Sequence, residues 1–103
     1  MTQFEIDQVS PERYRLGGEL DMASAKTLQE ALEPVVKGKQ RLVLDLSELT
    51  FIDSSGIRAL LELANRLNGA AALELSNVPV GVQGVLDIIG LDALPGIEVV
   101  DRV

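Results

Sequence analysis

Apolar positions along the chain change period several times, and each change marks an element. Phe4–Ile6 through Val9 alternates weakly between apolar and polar residues, as a half-solvated strand does. Ser10–Pro11–Glu12 reads as a turn, because proline fixes φ and serine can bond its neighbouring backbone. Tyr14–Arg15–Leu16 resumes extended character, so the two runs suggest a hairpin or paired edge strands. Gly17–Gly18–Glu19–Leu20–Asp21 is then expected to leave the strand. Asp21 and Ser24 are both plausible N-caps for a helix whose buried stripe is Ala25, Leu28, Leu32 and Val35/Val36. Pro34 should kink or end this helix, and Gly38 completes the stop.

The second half repeats the alternation of strand and helix. Leu42–Val43–Leu44–Asp45–Leu46 is a short apolar run that fits a central strand covered on both faces. Asp53–Ser54–Ser55–Gly56 opens the clearest helix, with Ile57, Leu60, Leu61, Ala64 and Leu67 on one face. Arg58, Glu62 and Arg66 lie on the other face as i,i+4 charge pairs, each worth a few tenths of a kcal/mol. Asn68–Gly69 ends the helix, and Ala72–Leu73–Glu74–Leu75 is another strand. Asn77 is a natural cap, and Pro79 falls just inside the next helix start. Val82, Val85, Leu86 and Ile89 form that helix's stripe, softened by Gly81 and Gly84 at about 1 kcal/mol each relative to alanine. Gly90 takes the C′ position with Leu91 as its hydrophobic contact, and Ile97–Glu98–Val99–Val100 is a last strand.

The predicted order is β-β-α-β-α-β-α-β. Strands alternating with helices pair in parallel through right-handed crossovers, and the first two strands add an antiparallel component. The expectation is an α/β fold with a mixed, mostly parallel sheet flanked by helices. The 103 residues suit one domain, 1–103, with no repeat, linker or low-complexity segment.

Composition changes this picture mainly by subtraction. The chain has no Cys, His or Trp. That removes cysteine nucleophiles, Cys/His zinc sites, haem and iron–sulfur ligation, and the Ser-His-Asp triad. No catalytic residue, resident metal or cofactor is expected, although carboxylates alone can hold Mg²⁺ or Ca²⁺. Nine basic residues against 16 acidic ones give a net charge of −7. Nucleic-acid binders need a basic footprint, and an anionic membrane surface repels the same sign. An acidic surface suits solubility and a partner with a basic docking patch. Met1–Thr2–Gln3–Phe4–Glu5 shows no signal peptide, and no apolar run approaches the ~18 residues of a membrane span. A soluble cytoplasmic protein without membrane insertion is expected.

Candidate chemistry concentrates in Leu49–Thr50–Phe51–Ile52–Asp53–Ser54–Ser55–Gly56. Two hydroxyls and a carboxylate meet at a helix start, where unpaired N–H groups and the dipole favour negative charge. A phosphate on Ser54 would be accepted there, and small neighbours would let a kinase approach closely. On the residues alone, capping is the first reading of this motif and phosphorylation the second. A nucleophilic serine ranks lower, because no histidine exists and no lysine is close in sequence to activate Ser54. Asp21 and Asp53 both precede helices at the carboxyl ends of strands, where open α/β sheets usually place their sites. Two independent caps come first; a pair attracting a basic group or Mg²⁺ comes second. Asp45 is given a structural role. Gly81–Val82–Gln83–Gly84 lacks the Gly-Lys-Ser/Thr of a phosphate loop and reads as a flexible helix start.

Four segments in order, Gly18–Glu19–Leu20–Asp21, Leu44–Asp45–Leu46–Ser47, Phe51–Ile52–Asp53–Ser54–Ser55–Gly56 and Ile89–Gly90–Leu91, resemble the STAS domain. That is the domain of bacterial anti-sigma factor antagonists, also found at the ends of sulfate transporters. The resemblance spans nearly the whole chain and rests on the four segments together. It implies a regulatory switch rather than an enzyme. Family antagonists bind an anti-sigma factor that is also a serine kinase, and so release the sigma factor. The kinase uses ATP and Mg²⁺ to phosphorylate the serine after the motif's Asp, which is Ser54 here, and a serine phosphatase reverses the step. The Asp ending Gly-Glu-Leu-Asp, here Asp21, lies in the kinase-binding surface. Asp53, Ser55 and Gly56 complete the expected contact set. Gly81, Gly84 and Pro34 depart from the usual pattern.

Two other readings stand beside this one. The family includes a small STAS subunit that binds the ATPase of a phospholipid-trafficking ABC transporter; the intact Asp-Ser-Ser-Gly tilts the reading toward the antagonist. An enzyme is disfavoured by the missing His, Cys and phosphate loop, while the residues leave weak nucleotide binding open.

Overall fold

Hydrogen bonding across Leu20 and Ile52 sets the frame of the molecule, because it joins the ends of its two longest strands in register. The structure, a computed structural model, describes residues 4–37, 41–67, 73–90 and 96–100. The elements are β1 (Glu5–Ser10), β2 (Arg13–Leu20), α1 (Met22–Val36), β3 (Leu42–Ile52), α2 (Ser54–Arg66), β4 (Leu73–Ser76), α3 (Val80–Ile89) and β5 (Ile97–Val99). They form one five-stranded sheet in the order β1-β2-β3-β4-β5. β1 and β2 form the expected antiparallel hairpin, and every other pairing is parallel. The predicted element order and mixed sheet are therefore observed.

Both central strands outrun the sequence reading. β2 continues through Gly17–Gly18–Glu19 to Leu20, and β3 continues past Leu46 to Ile52. The reason is a pair of irregularities. Arg15 to Gly17 on β2 spans Asp45 to Glu48 on β3, and Gly18 to Glu19 spans Leu49 to Phe51. β3 thus carries an extra residue at each place, as in a β-bulge. Its inward residues run Leu42, Leu44 and Leu46 at a spacing of two, then Leu49 and Ile52 at a spacing of three. Gly18 opposes Leu49 at φ +86°, a conformation glycine adopts without a Cβ penalty.

The core lies on one side of the sheet. Tyr14, Leu16 and Leu20 join the inward residues of β3, Leu73 and Leu75, and the helical stripes in a single buried cluster. The registers place Arg15 beside Asp45, and Val43 beside Arg13 and Glu74, on the other side. That face is polar, so β3 is not covered by apolar layers on both faces as expected. Val43 is the buried exception, flanked by residues whose alkyl stems can shield it. Arg41 and Glu74 pair beside it, with Nη2 donating to Oε1 at 3.1 Å.

The helices follow the predicted stripes with local differences. α1 passes Pro34, which has no N–H to give the Glu30 carbonyl, and ends two residues later at Val36. α2 buries Ala59 and Leu63 as well as Ile57, Leu60 and Ala64, while Leu61 is only partly buried. The charges on α2 do not pair along the helix. Arg66 instead bridges to Glu33 of α1 at 2.9 Å, and Glu62 accepts a bond from Gln29 of α1. α1 and α2 pack side by side, which brings these partners closer than the helix's own next turn. Asn77 does not cap α3. Pro79 occupies the N-cap position without a side-chain bond, and Asn77 takes φ +54°. Gly90 ends α3 at φ +75°, its N–H donating to the Leu86 carbonyl at 2.9 Å. The predicted roles of Gly38, Asn68–Gly69, Ala72 and Leu91 lie outside the described residues.

Candidate functional site

Parallel pairing of β2 with β3 puts the starts of α1 and α2 at the same sheet edge. Leu20 and Ile52 are register partners, so Asp21 and Asp53 follow them on adjacent strands, about 4.8 Å being the usual strand spacing. The Asp53 N–H donates to the Leu20 carbonyl at 3.2 Å, which carries the ladder one residue further. The two N-caps are near copies. Asp21 has φ −112° and ψ −167°, and Asp53 has φ −120° and ψ −173°. Asp21 Oδ1 accepts from the N–H groups of Ala23 and Ser24, both at 3.1 Å. Asp53 Oδ1 accepts from those of Ser55 at 2.9 Å and Gly56 at 3.2 Å. Each carboxylate thereby satisfies two of the N–H groups a helix start leaves unpaired.

The third helical residue distinguishes them. In α1 it is Ser24, whose Oγ accepts from the Asp21 N–H at 2.8 Å and donates to the Glu19 carbonyl at 2.6 Å. Ser24 thus completes a capping box rather than serving as a cap itself. Its backbone N–H, and then its hydroxyl, hold the Asp21 carboxyl below the usual value. In α2 the third residue is Gly56. A Cβ there would lie 2.7 Å from both Leu20 Cγ and the Leu20 carbonyl, and 2.9 Å from Ile52 Cγ1. The glycine is required so that α2 can start flush against the sheet edge.

That arrangement leaves Ser54 outermost. It is the first residue of α2 and is exposed, while Asp53 and Ser55 are half-buried and Gly56 is buried. Among the described residues the Ser54 hydroxyl has no hydrogen-bond partner, in contrast to Ser24. Gly56 touches the site through its backbone only. The structure therefore gathers Asp21, Asp53, Ser54 and Ser55 at one edge, with Gly56 beneath them.

Two neighbours, Met22 and Lys26, were not singled out from the sequence. Exposed apolar residues Met22, on the first turn of α1, and Phe51, near the end of β3, flank the motif. A groove of about 330 Å³ between α1 and α2 starts at Ser54 and is also lined by Lys26 and Arg58. Arg58 is legible as a neighbour of Ser54, since it lies four residues on along a helix. Lys26 is on another helix, and only the packing of α1 on α2 brings it there.

Asp45 lies apart from this edge. Ser47 N–H donates to its Oδ1 at 2.9 Å, and Arg13 approaches its Oδ2 at 3.7 Å. Burial raises its pKa, but the bonds from Ser47 and Asn77 and the Arg13 charge together leave the carboxyl below its usual value. This is the structural role expected for Asp45. Among the described residues no cluster of three or more His, Cys, Asp or Glu side chains could hold a metal ion. None of their helices is long and apolar enough to cross a membrane.

Two solved structures share this architecture. An anti-sigma factor antagonist from Mycobacterium paratuberculosis superposes with a TM-score of 0.76 at 22% identity, covering 95% of this chain and 86% of that one. The anti-sigma factor antagonist SpoIIAA in its unphosphorylated form superposes with a TM-score of 0.73 at 21% identity, covering 98% of this chain and 89% of that one. No curated protein sequence matches. The family model described as "Mlab, STAS domain" matches residues 7–100. With that match over nearly the whole chain, and with the sheet order and helix placement of the fold observed, the protein belongs to the STAS domain family.

Proposed function

We propose that the protein is an anti-sigma factor antagonist, switched off by phosphorylation of Ser54. The observation that carries this reading is the exposed Ser54 hydroxyl at the first turn of α2, unbonded among the described residues and fixed beside Asp21 and Asp53. The fold shared with two antagonists supports it. In this reading the unmodified edge docks on an anti-sigma factor that is a serine kinase, and the sigma factor is released. The kinase brings ATP and Mg²⁺. Ser54 Oγ attacks the γ-phosphorus, the bond to the β-phosphate oxygen breaks, ADP leaves, and a base on the kinase takes the hydroxyl proton. A serine phosphatase hydrolyses the phosphoserine and restores the docking surface.

The protein itself acts as no enzyme in this scheme; it is the substrate. Asp21, Asp53 and Ser55 contact the partner, while Gly56 acts by holding their backbone. Phosphorylation adds about −1.5 to −2 charge next to Asp53, which repels acidic partner groups and must be desolvated in an interface. The helix start tolerates that charge, so the switch needs no refolding. The cytoplasm, where ATP and sigma factors are found, is the compartment this function requires.

The test is intact-mass measurement after incubation with the anti-sigma kinase and ATP–Mg²⁺, for wild type and Ser54→Ala. Wild type should gain one phosphoryl group and Ser54→Ala none. Absence of gain by wild type, or equal gain by both, overturns the assignment. A second reading is the STAS subunit of a phospholipid-trafficking ABC transporter. It is favoured by the family model's description, which names Mlab and not an antagonist. Affinity capture distinguishes them: a small serine kinase supports the first, and a transporter ATPase the second.

A further inference from the structure

The groove between α1 and α2 has an uneven charge along its length. At its far end the charges are matched, with Arg66 bridged to Glu33 at 2.9 Å and Glu62 bonded by Gln29. At its near end it is lined by Ser54, Lys26 and Arg58. Among the described residues neither Lys26 nor Arg58 takes part in an ion pair. Two unmatched cations beside one hydroxyl are unexpected on a chain of net charge −7. The helical geometry makes them neighbours of Ser54. Arg58 lies four residues on along α2, so it shares the Ser54 face. Lys26 stands four residues on from Met22, which holds in α1 the first-turn position that Ser54 holds in α2.

We propose that a phosphate carried by Ser54 folds back into this groove and ion-pairs with Lys26 and Arg58. This rests on the reading that Ser54 is the modified residue. The phosphoserine then has two sources of favourable charge, the positive end of the α2 dipole and the two side-chain cations. Asp53, Asp21 and Glu62 oppose it from the cap of α2, the cap of α1 and the far end of the groove. Glu62 confines the phosphate to the near end. The consequence is a second arm of the switch. Unmodified protein presents two free cations at the rim of its docking edge, able to meet acidic groups of a partner. Phosphorylation cancels them from within while adding its own charge. Guanidinium is the stronger contributor, since its fork matches two phosphate oxygens.

The experiment is a ³¹P NMR pH titration of protein carrying phosphoserine at position 54, installed during synthesis so that no kinase is needed. Failure of the kinase reading is therefore read separately, by the mass measurement above. The reference is the same chain unfolded in urea, where the second phosphate ionisation falls near ~6. In the folded protein it should lie about one unit lower. Lys26→Gln and Arg58→Gln should each return part of that shift, and the double variant most of it. Raising salt to about 1 M, where the Debye length is about 3 Å, should do the same. Far-UV circular dichroism checks that the variants are folded. Equal titration in folded and unfolded chains overturns the proposal. So does a lowered value that neither variant changes, because the start of α2 alone would then hold the phosphate.

Discussion

Gly56 is packed against Leu20 so closely that a Cβ on the glycine would stand 2.7 Å from both the Leu20 side chain and its carbonyl oxygen. Half of that contact is backbone, which cannot rotate away. Gly56→Ala should therefore push α2 off the sheet edge, at a cost of about 1–3 kcal/mol as overpacking typically exacts. Urea unfolding checks this: the midpoint should fall with little change in slope. An unchanged midpoint would show that the edge can widen to admit a methyl group.

Gly84 presents the opposite case. It lies in the middle of α3, is exposed, and has nothing within 4 Å of the position a Cβ would occupy. Alanine there removes backbone freedom from the unfolded chain without a clash. Gly84→Ala should stabilise the protein by up to about 1 kcal/mol, or roughly 4–8 °C in Tm for a domain near this size. A lower Tm in a thermal melt would contradict the placement of Gly84 on the solvent side of α3.

Stability should fall in acid partly through the α1 cap. The Asp21 carboxyl is held below its ordinary value of 3.8, first by the Ser24 N–H and then by the Ser24 hydroxyl. The folded state thus binds this proton less readily than the unfolded state. The associated stability is complete above the unfolded pKa and disappears as pH falls through the lowered folded value. Asparagine caps about as well as aspartate. Asp21→Asn should accordingly change little at neutral pH and flatten the loss of stability as pH falls below the ordinary carboxylate value of 3.8. Asp45 shifts in the same direction, where bonds from Ser47 and Asn77 overcome the effect of burial. Urea midpoints measured across this range decide the matter; parallel curves for wild type and Asp21→Asn would remove Asp21 from the account.

Substitution at Ser54 should separate binding from folding. Its hydroxyl is exposed and unbonded among the described residues, so Ser54→Ala and Ser54→Asp should both melt within about 0.5 kcal/mol of wild type. Toward the anti-sigma kinase they should differ. Ser54→Ala should retain affinity, whereas Ser54→Asp should lose it; a loss of ~3 kcal/mol is more than a hundredfold in Kd. Calorimetric titration giving equal affinities would mean that charge at this position is not the switch.

Much of this was readable from the chain. The alternation of periods along it set the element order, and Asp53–Ser54–Ser55–Gly56 marked the start of α2 and the candidate site. What misled was β3. Its inward residues Leu46, Leu49 and Ile52 are three apart, so a reading based on alternation stops at Leu46. The spacing makes sense only beside β2, where each extra residue of β3 is absorbed as an irregularity in the ladder. α2 misled for a related reason. Arg66 and Glu62 have partners of opposite or polar character on their own helix, yet they bind Glu33 and Gln29 across the groove.

By itself the sequence determined that this is a mixed α/β protein without histidine or cysteine chemistry, with one serine motif at a helix start. Local rules suffice for that, because period, capping and composition act over a few residues. Tertiary structure decided the rest. Parallel pairing of β2 with β3 made neighbours of Asp21 and Asp53, which follow the carboxyl ends of the two strands that α1 connects. Packing of α1 on α2 brought Lys26 into the groove that holds Ser54. The close approach of Leu20 explains why the motif ends in glycine. Each is a relation between residues some thirty positions apart, set by strand register and helix packing rather than by any local preference.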